Sequence, residues 1–237
     1  GYKGLTMSLI NRLIENNGSD CLFFFNYNRI NMALSSNIYF DEHLAQLFGK
    51  EGTQNLKKAL QGIPSDQREE LVVHELAEKI KQNKARHVLC YRFYCKEMRR
   101  TSHYLIFVTK HELACKIMKG IMARKSYKDA DGIATFELKD KTNFQCQSEQ
   151  LSLFDRPFDD LCEKLRIKYS GKRVLIGDIC NCVARDDTNQ YIEKNVKDAL
   201  RRLEADNYVE IEGRKKNSPT SNATMPDTAY AIFRERE

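Results

Sequence analysis

Near the carboxyl end of the chain, one helix-length stretch constrains the fold more than any other. Between residues 189 and 205, Ile192, Val196, Ala199, Leu200 and Leu203 recur at the three- and four-residue spacing of one helix face, while Lys194, Lys197 and Arg201 fall almost opposite. A helix so divided lays its apolar stripe on a core and leaves its cations outside. The neighbouring elements supply that core. Residues 157–169 carry Phe158, Leu161, Cys162 and Leu165 at helical spacing, Arg173-Val174-Leu175-Ile176 reads as a short strand, and Gly177-Asp178 opens a short helix through Val183. Beyond the long helix, Tyr208–Ile211 and Ala229–Phe233 are strands joined by a polar hairpin.

Helix, strand, helix, turn, helix, hairpin is the order of a winged helix-turn-helix domain, predicted here over 156–237. In such a domain the outward cations of the second helix-turn-helix helix meet phosphates or base edges. The hairpin adds Arg214, Lys215 and Lys216 on a loop able to follow the adjacent backbone. Lys194, Lys197, Arg201, Arg214, Lys215 and Lys216 are therefore the candidate nucleic-acid contacts, with DNA expected ahead of RNA. A solvated surface helix also turns its lysines outward. Asp186, Asp187, Glu193, Asp198, Glu204 and Asp206 bring this domain close to neutrality, so a winged helix that makes only protein contacts is the alternative.

The chain's 237 residues suffice for two domains. A formal charge of +6 is compatible with phosphate contacts without requiring them. There is no run of 18 apolar residues and no signal peptide, so a cytoplasmic location without membrane contact is expected. Eight cysteines without a Cys-x-x-Cys read as buried thiols of a reducing compartment; Cys180-Asn181-Cys182 lacks the second pair that a zinc site needs. The histidines at 43, 74, 87, 103 and 111 show no metal spacing either.

The first 138 residues follow a different pattern. Leu5, Leu9, Ile10, Leu13 and Ile14 predict a helix stopped by Asn16-Asn17-Gly18, and Cys21–Phe25 is an apolar run that reads as a central strand covered on both faces. Residues 28–83 are helical, in pieces near 28–35, 40–49, 51–61 and 65–82 punctuated by Gly49, Gly52, Gly62 and Pro64. His87–Cys95 and His103–Val108 predict an antiparallel pair, since so short a connection excludes a crossover. A helix from Lys110 to about Arg124 should turn Leu113, Ile117 and Ile121 inward, and Ile133–Leu138 should add an edge strand. Polar, aperiodic residues 139–155 read as a linker.

Asn26, Tyr27, Asn28 and Arg29 stand at the carboxyl end of the predicted central strand, where open α/β sheets bind ligands. Amides, a phenol and a guanidinium suit a base or a phosphate, and a plain strand-to-helix turn with Asn28 as the cap accounts for them equally well. No Gly-x-Ser-x-Gly, P-loop or Gly-x-Gly-x-x-Gly occurs.

Gly1-Tyr2-Lys3-Gly4-Leu5, Cys21 to Asn31, Gln150-Leu151-Ser152-Leu153-Phe154-Asp155 and the carboxyl-terminal element order together resemble the three-Cys-motif partner proteins, over the latter part of that family. The family resembles class I S-adenosylmethionine-dependent methyltransferases. The resemblance implies that 1–138 is the C-terminal half of a methyltransferase-like, Rossmann-like α/β domain, with 20–26 as its fifth strand, 86–95 and 103–109 as its final hairpin and 28–83 as a helical insertion. Gly1 would close an Asp-Pro-Phe-Gly segment, and the absence of an initiator Met agrees with a fragment. The cofactor loop would precede Gly1, so the resemblance implies no cofactor in this chain as given, S-adenosylmethionine binding only with that preceding half, and no catalysis by these residues alone. It also implies a radical-SAM-like partner bearing three cysteines, to which the chain would dock.

Overall fold

The computed structural model describes residues 5–16, 18–36, 41–82, 85–95, 100–138, 157–214 and 225–235. Its elements, in chain order, are α1 (Met7–Leu13), β1 (Cys21–Phe25), α2 (Tyr27–Ser36), α3 (Asp41–Phe48), α4 (Lys50–Ala59), α5 (Ser65–Gln82), β2 (His87–Cys95), β3 (Arg100–Thr109), α6 (Glu112–Lys125), β4 (Ser126–Lys128) and β5 (Ala134–Leu138). There follow α7 (Pro157–Tyr169), β6 (Arg173–Leu175), α8 (Ile176–Arg185), α9 (Glu193–Ala205), β7 (Val209–Glu212) and β8 (Tyr230–Phe233). The chain is thus α/β, with a mixed sheet of order β1-β3-β2-β5-β4 and a second sheet of order β6-β8-β7. It divides into two compact units, 1–118 with 136–138 and 119–135 with 139–237.

In the first unit β3 runs antiparallel to both β1 and β2, with Phe25 and Arg92 each opposite Tyr104. Alternation along β1 sends Cys21 and Phe25 into a core shared with Ile10 and Ile14 of α1, Leu44 and Phe48 of α3, and Val72, Leu76 and Ile80 of α5. The other face differs from expectation. β1 is an edge strand, paired among the described residues with β3 alone, and Leu22 and Phe24 are 52% and 63% exposed. An apolar run does not by itself distinguish a strand covered on both faces from one with an open side.

A second reversal concerns α6. Leu113, Ile117 and Ile121 point outward, at 61%, 55% and 38% exposure, while Cys115, Lys119, Met122 and Ala123 are buried. This helix carries two apolar stripes. The ammonium of Lys119, which a composition rule places in water, instead finds oxygen acceptors and brings its own stripe inward.

In the second unit α7, α8 and α9 pack over the small sheet around Leu161, Leu165, Ile176, Ile179, Val196, Leu200, Leu203 and Phe233. The strands are antiparallel, with Leu175 opposite Tyr230 and Val209 opposite Phe233. Ile133 belongs to this core, which draws 119–135 into the second unit rather than the first. The expected linker at 139–155 lies outside the described residues.

Candidate nucleic-acid interface

The helix predicted from 189 begins at Glu193, because residues 186–192 are committed to a turn. Burial pushes the Asp186 carboxyl up, but hydrogen bonds from the Thr188 hydroxyl and N–H, help from Asn189 and the Lys119 charge outweigh it and hold the group below its ordinary value. Asn189 Oδ1 accepts from Tyr191 N at 2.9 Å, and Asn195 Oδ1 accepts from Ile192 N at 3.0 Å. The latter is half of a capping box, since the Ile192 side chain offers no acceptor. Lys119, fully buried, donates to the carbonyls of Val183 and Asp186 at 3.3 and 2.6 Å and to Asn189 Oδ1 at 2.8 Å. The turn that aims α9 is therefore fixed by a lysine outside the two helices it joins.

At its far end α9 stops in a Schellman motif. Asn207 takes a positive φ of 61°, its N–H bonds to Glu204 O at 3.0 Å, and Tyr208 N–H bonds to Leu203 O at 2.8 Å. Between these ends the sequence pattern holds: Val196, Ala199, Leu200 and Leu203 are buried. Burial of each of the larger three contributes up to about 1.5–3 kcal/mol.

The outward cations are mostly engaged within the unit. Lys197 Nζ lies 2.6 Å from Asp227 Oδ1, and although burial works against its charge, Asp227 holds it above its ordinary value. Arg201 meets Asp198 at 2.6 Å, and Arg214 pairs with Glu204. Lys194 is exposed and has no ion pair among the described residues. Lys215 and Lys216 lie outside the described residues. The Asp198 pairing was legible three residues before Arg201; those of Asp227 and Glu204 depend on tertiary approach.

Asp227 also approaches through its backbone. Gly177 N donates to Asp227 O at 2.9 Å, and a Cβ on Gly177 would meet that oxygen at 3.0 Å. Any side chain there would have to push the start of α8 and the segment before β8 apart by a few tenths of an ångström.

The second candidate group, at the end of β1, separates into distinct roles. Asn26, not Asn28, caps α2: its Oδ1 accepts from Arg29 N at 3.1 Å. Arg29 is exposed and Asn28 half-buried. Tyr27 is buried, its hydroxyl has no hydrogen-bond partner among the described residues, and burial first, then Glu69, push its pKa up to about 12.

Near it is a polar cluster that the sequence did not reveal. Glu69 Oε1 of α5 accepts from Tyr104 at 2.5 Å and Thr101 at 2.6 Å and lies 2.9 Å from Arg92 Nε, while Arg92 reaches Glu137 Oε1 at 2.8 Å. Burial works against the Arg92 charge, but Glu69, Tyr104 and Glu137 hold it above its ordinary value. Burial and the Glu69 hydrogen bond both raise Tyr104. Arg92, Thr101 and Tyr104 all donate to Glu69, which marks a cross-link between helix and strands. Its one sequence signal is Arg92, a lone charge within an apolar strand.

No family model, curated protein or solved structure matches the chain. Among the described residues no group of three His, Cys, Asp or Glu can hold a metal ion, and no helix is long and apolar enough to cross a membrane.

Proposed function

We propose that the second unit is a winged helix-turn-helix that binds nucleic acid, duplex DNA ahead of RNA, within a methyltransferase-like protein of the three-Cys-motif partner type. The observation that carries this reading is the element order α7-β6-α8-α9-β7-β8, with the sheet order β6-β8-β7 and the cationic face of α9 outward. The ion pairs on Lys197 and Arg201 do not oppose it strongly. Partly exposed pairs are worth about 0–1 kcal/mol, less than phosphate contact can return. The methyltransferase-like part is supported by β1 and β2 both running antiparallel to an intervening β3, the order expected for a fifth strand followed by a terminal hairpin. No catalytic step is assigned to these residues. An active S-adenosylmethionine-dependent nucleic-acid methyltransferase would need the strands that the resemblance puts before Gly1.

The test is duplex binding by the full chain across a salt series. Lys194→Ala/Lys197→Ala/Arg201→Ala should weaken binding and flatten the log–log salt dependence by about 0.9 for each lost phosphate contact. Equal affinity with an equal slope sinks the surface assignment.

A second reading, docking of a radical-SAM-like protein partner, is favoured by one observation. Ile167 and Tyr208 are 56% and 42% exposed on the same unit in which Lys197 and Arg201 are internally paired. Nuclease-insensitive co-purification with such a partner, lost in Ile167→Glu/Tyr208→Glu, would support it; retention of the partner by that variant would exclude this surface.

A further inference from the structure

The helical insertion of the first unit contains a cavity of about 280 Å3, lined by Asn31 and Leu34 of α2, Lys57 and the cap residue Leu60 of α4, Gln61, and Arg68 of α5. Two of these six are cations, two are carboxamides, and none is a carboxylate. The lining is therefore rich in donors and positive in sign.

Arg68 is set in place by its own backbone neighbourhood. Its Nε donates to the Ile63 carbonyl at 2.7 Å, which fixes the guanidinium plane, and no carboxylate of the described residues forms an ion pair with it. A guanidinium anchored through Nε keeps its two terminal nitrogens for the forked recognition of an oxyanion. Lys57 supplies the second charge. It is paired with Asp41, a partner 44% exposed and thus screened by water, so an incoming anion can share or displace it. The carboxyl end of α4 works against an anion here, but a helix end is equivalent to only about half a charge, against two full ones.

Leu34 decides the class of ligand, since Leu60 is already buried in the core. Bare phosphate would leave the open part of the half-buried Leu34 facing water, whereas a small ester would cover it. The volume of about 280 Å3 falls just below the range of ligand pockets, about 300 to 1,000 Å3, which limits the ligand to a small one. We infer that this cavity binds a small phosphate monoester, its phosphoryl group on Arg68 and Lys57, its oxygens oriented by Asn31 and Gln61, and its organic part against Leu34.

The experiment is a titration of the full chain with phenyl phosphate, inorganic phosphate and phenol, followed by calorimetry and amide shift perturbation. Phenyl phosphate should saturate with a Kd of about 1 mM or tighter, roughly fivefold or more tighter than inorganic phosphate. Phenol should not saturate. Arg68→Gln should weaken phenyl phosphate about tenfold or more, Arg68→Lys less, because charge survives without the fork. Lys58→Gln, exposed on the same helix but outside the lining, should bind as the parent does. The inference is overturned if phenyl phosphate does not saturate, if phenol binds as well, or if Lys58→Gln loses as much as Arg68→Gln. Arg68→Lys, which keeps the charge and the stem, serves as the folded comparison if Arg68→Gln does not fold, and parental affinity in it removes the guanidinium from the site.

Discussion

In the first unit a buried carboxylate, Glu69, is ringed by a guanidinium, a phenol and a threonine hydroxyl, whereas in the second a fully buried ammonium, Lys119, is held by two backbone carbonyls and a carboxamide. The first arrangement pairs charge with charge and ties α5 to β2 and β3. The second substitutes protein dipoles for water around one charge and ties α6 to a turn. Loss of Glu69 strands several donors at once; loss of Lys119 leaves carbonyls, each with a second lone pair and some with other partners.

The largest effect is expected at the paired site. Glu69→Ala leaves Arg92 with Glu137 and the Thr101 hydroxyl oxygen, takes the acceptor from the Thr101 and Tyr104 hydroxyls, and should cost about 3 kcal/mol or more in urea unfolding. A cost below about 1 kcal/mol would erase the contrast between the units. Lys119→Met keeps the apolar stem and removes the charge. It should cost about 2 kcal/mol and speed amide exchange in 186–192 more than in the α9 interior. Uniform exchange would mean that Lys119 does not set the turn.

Two tyrosines of the first unit sharpen the comparison. Tyr104→Phe removes a hydrogen bond to a charged acceptor and should destabilise by about 1.5–3 kcal/mol. Tyr27→Phe removes a buried hydroxyl without a partner among the described residues and should be neutral or stabilise by about 1 kcal/mol. If the two changes cost the same, Tyr27 has a partner in solution.

The smallest effects concern pH, and the two extremes act differently. Tyr27 and Tyr104 have folded pKa values raised chiefly by burial, so their neutral forms favour the fold. That contribution is complete below the ordinary phenol value of about 10 and is lost as pH rises, for Tyr27 through about 12. Tyr191 in the second unit, raised by burial to about 12, behaves likewise. Asp186 has the opposite sign: held below its ordinary 3.8, it contributes above that pH and loses its contribution on acidification. Acid should therefore loosen residues 186–192 while alkali weakens both units, a difference that amide exchange at acid pH and tyrosine absorbance with circular dichroism at alkaline pH would read.

Much of this fold was legible because its signals are local. Gly49, Gly62 and Pro64 separate α3, α4 and α5 at positions readable without a partner, and the stripe of Val196, Leu200 and Leu203 admits one solution. The failures have a shared cause. Strand β4 is three residues, Ser126-Tyr127-Lys128, immediately after a helix, too short to show alternation. Helix α6 offers two apolar stripes, and what chose between them was a set of acceptors around Lys119 distant in sequence. In the candidate sites, residue types foretold Lys197 and Arg214 as cations but not that Asp227 and Glu204 would meet them. Glu69 looked like one more surface charge on α5. Its burial arises only when Arg92, Thr101 and Tyr104 come together from two other strands.

The open flank of β1 bears on handling. Among the described residues Leu22 and Phe24 lie on an edge strand, and that strand contains no lysine, proline or charge to discourage pairing with another chain. Two copies set antiparallel about Phe23 would place Leu22 of each beside Phe24 of the other. Encounters of that kind rise with the square of concentration, while unfolding does not depend on it. Stock concentration, more than temperature, should therefore govern how long preparations stay clear.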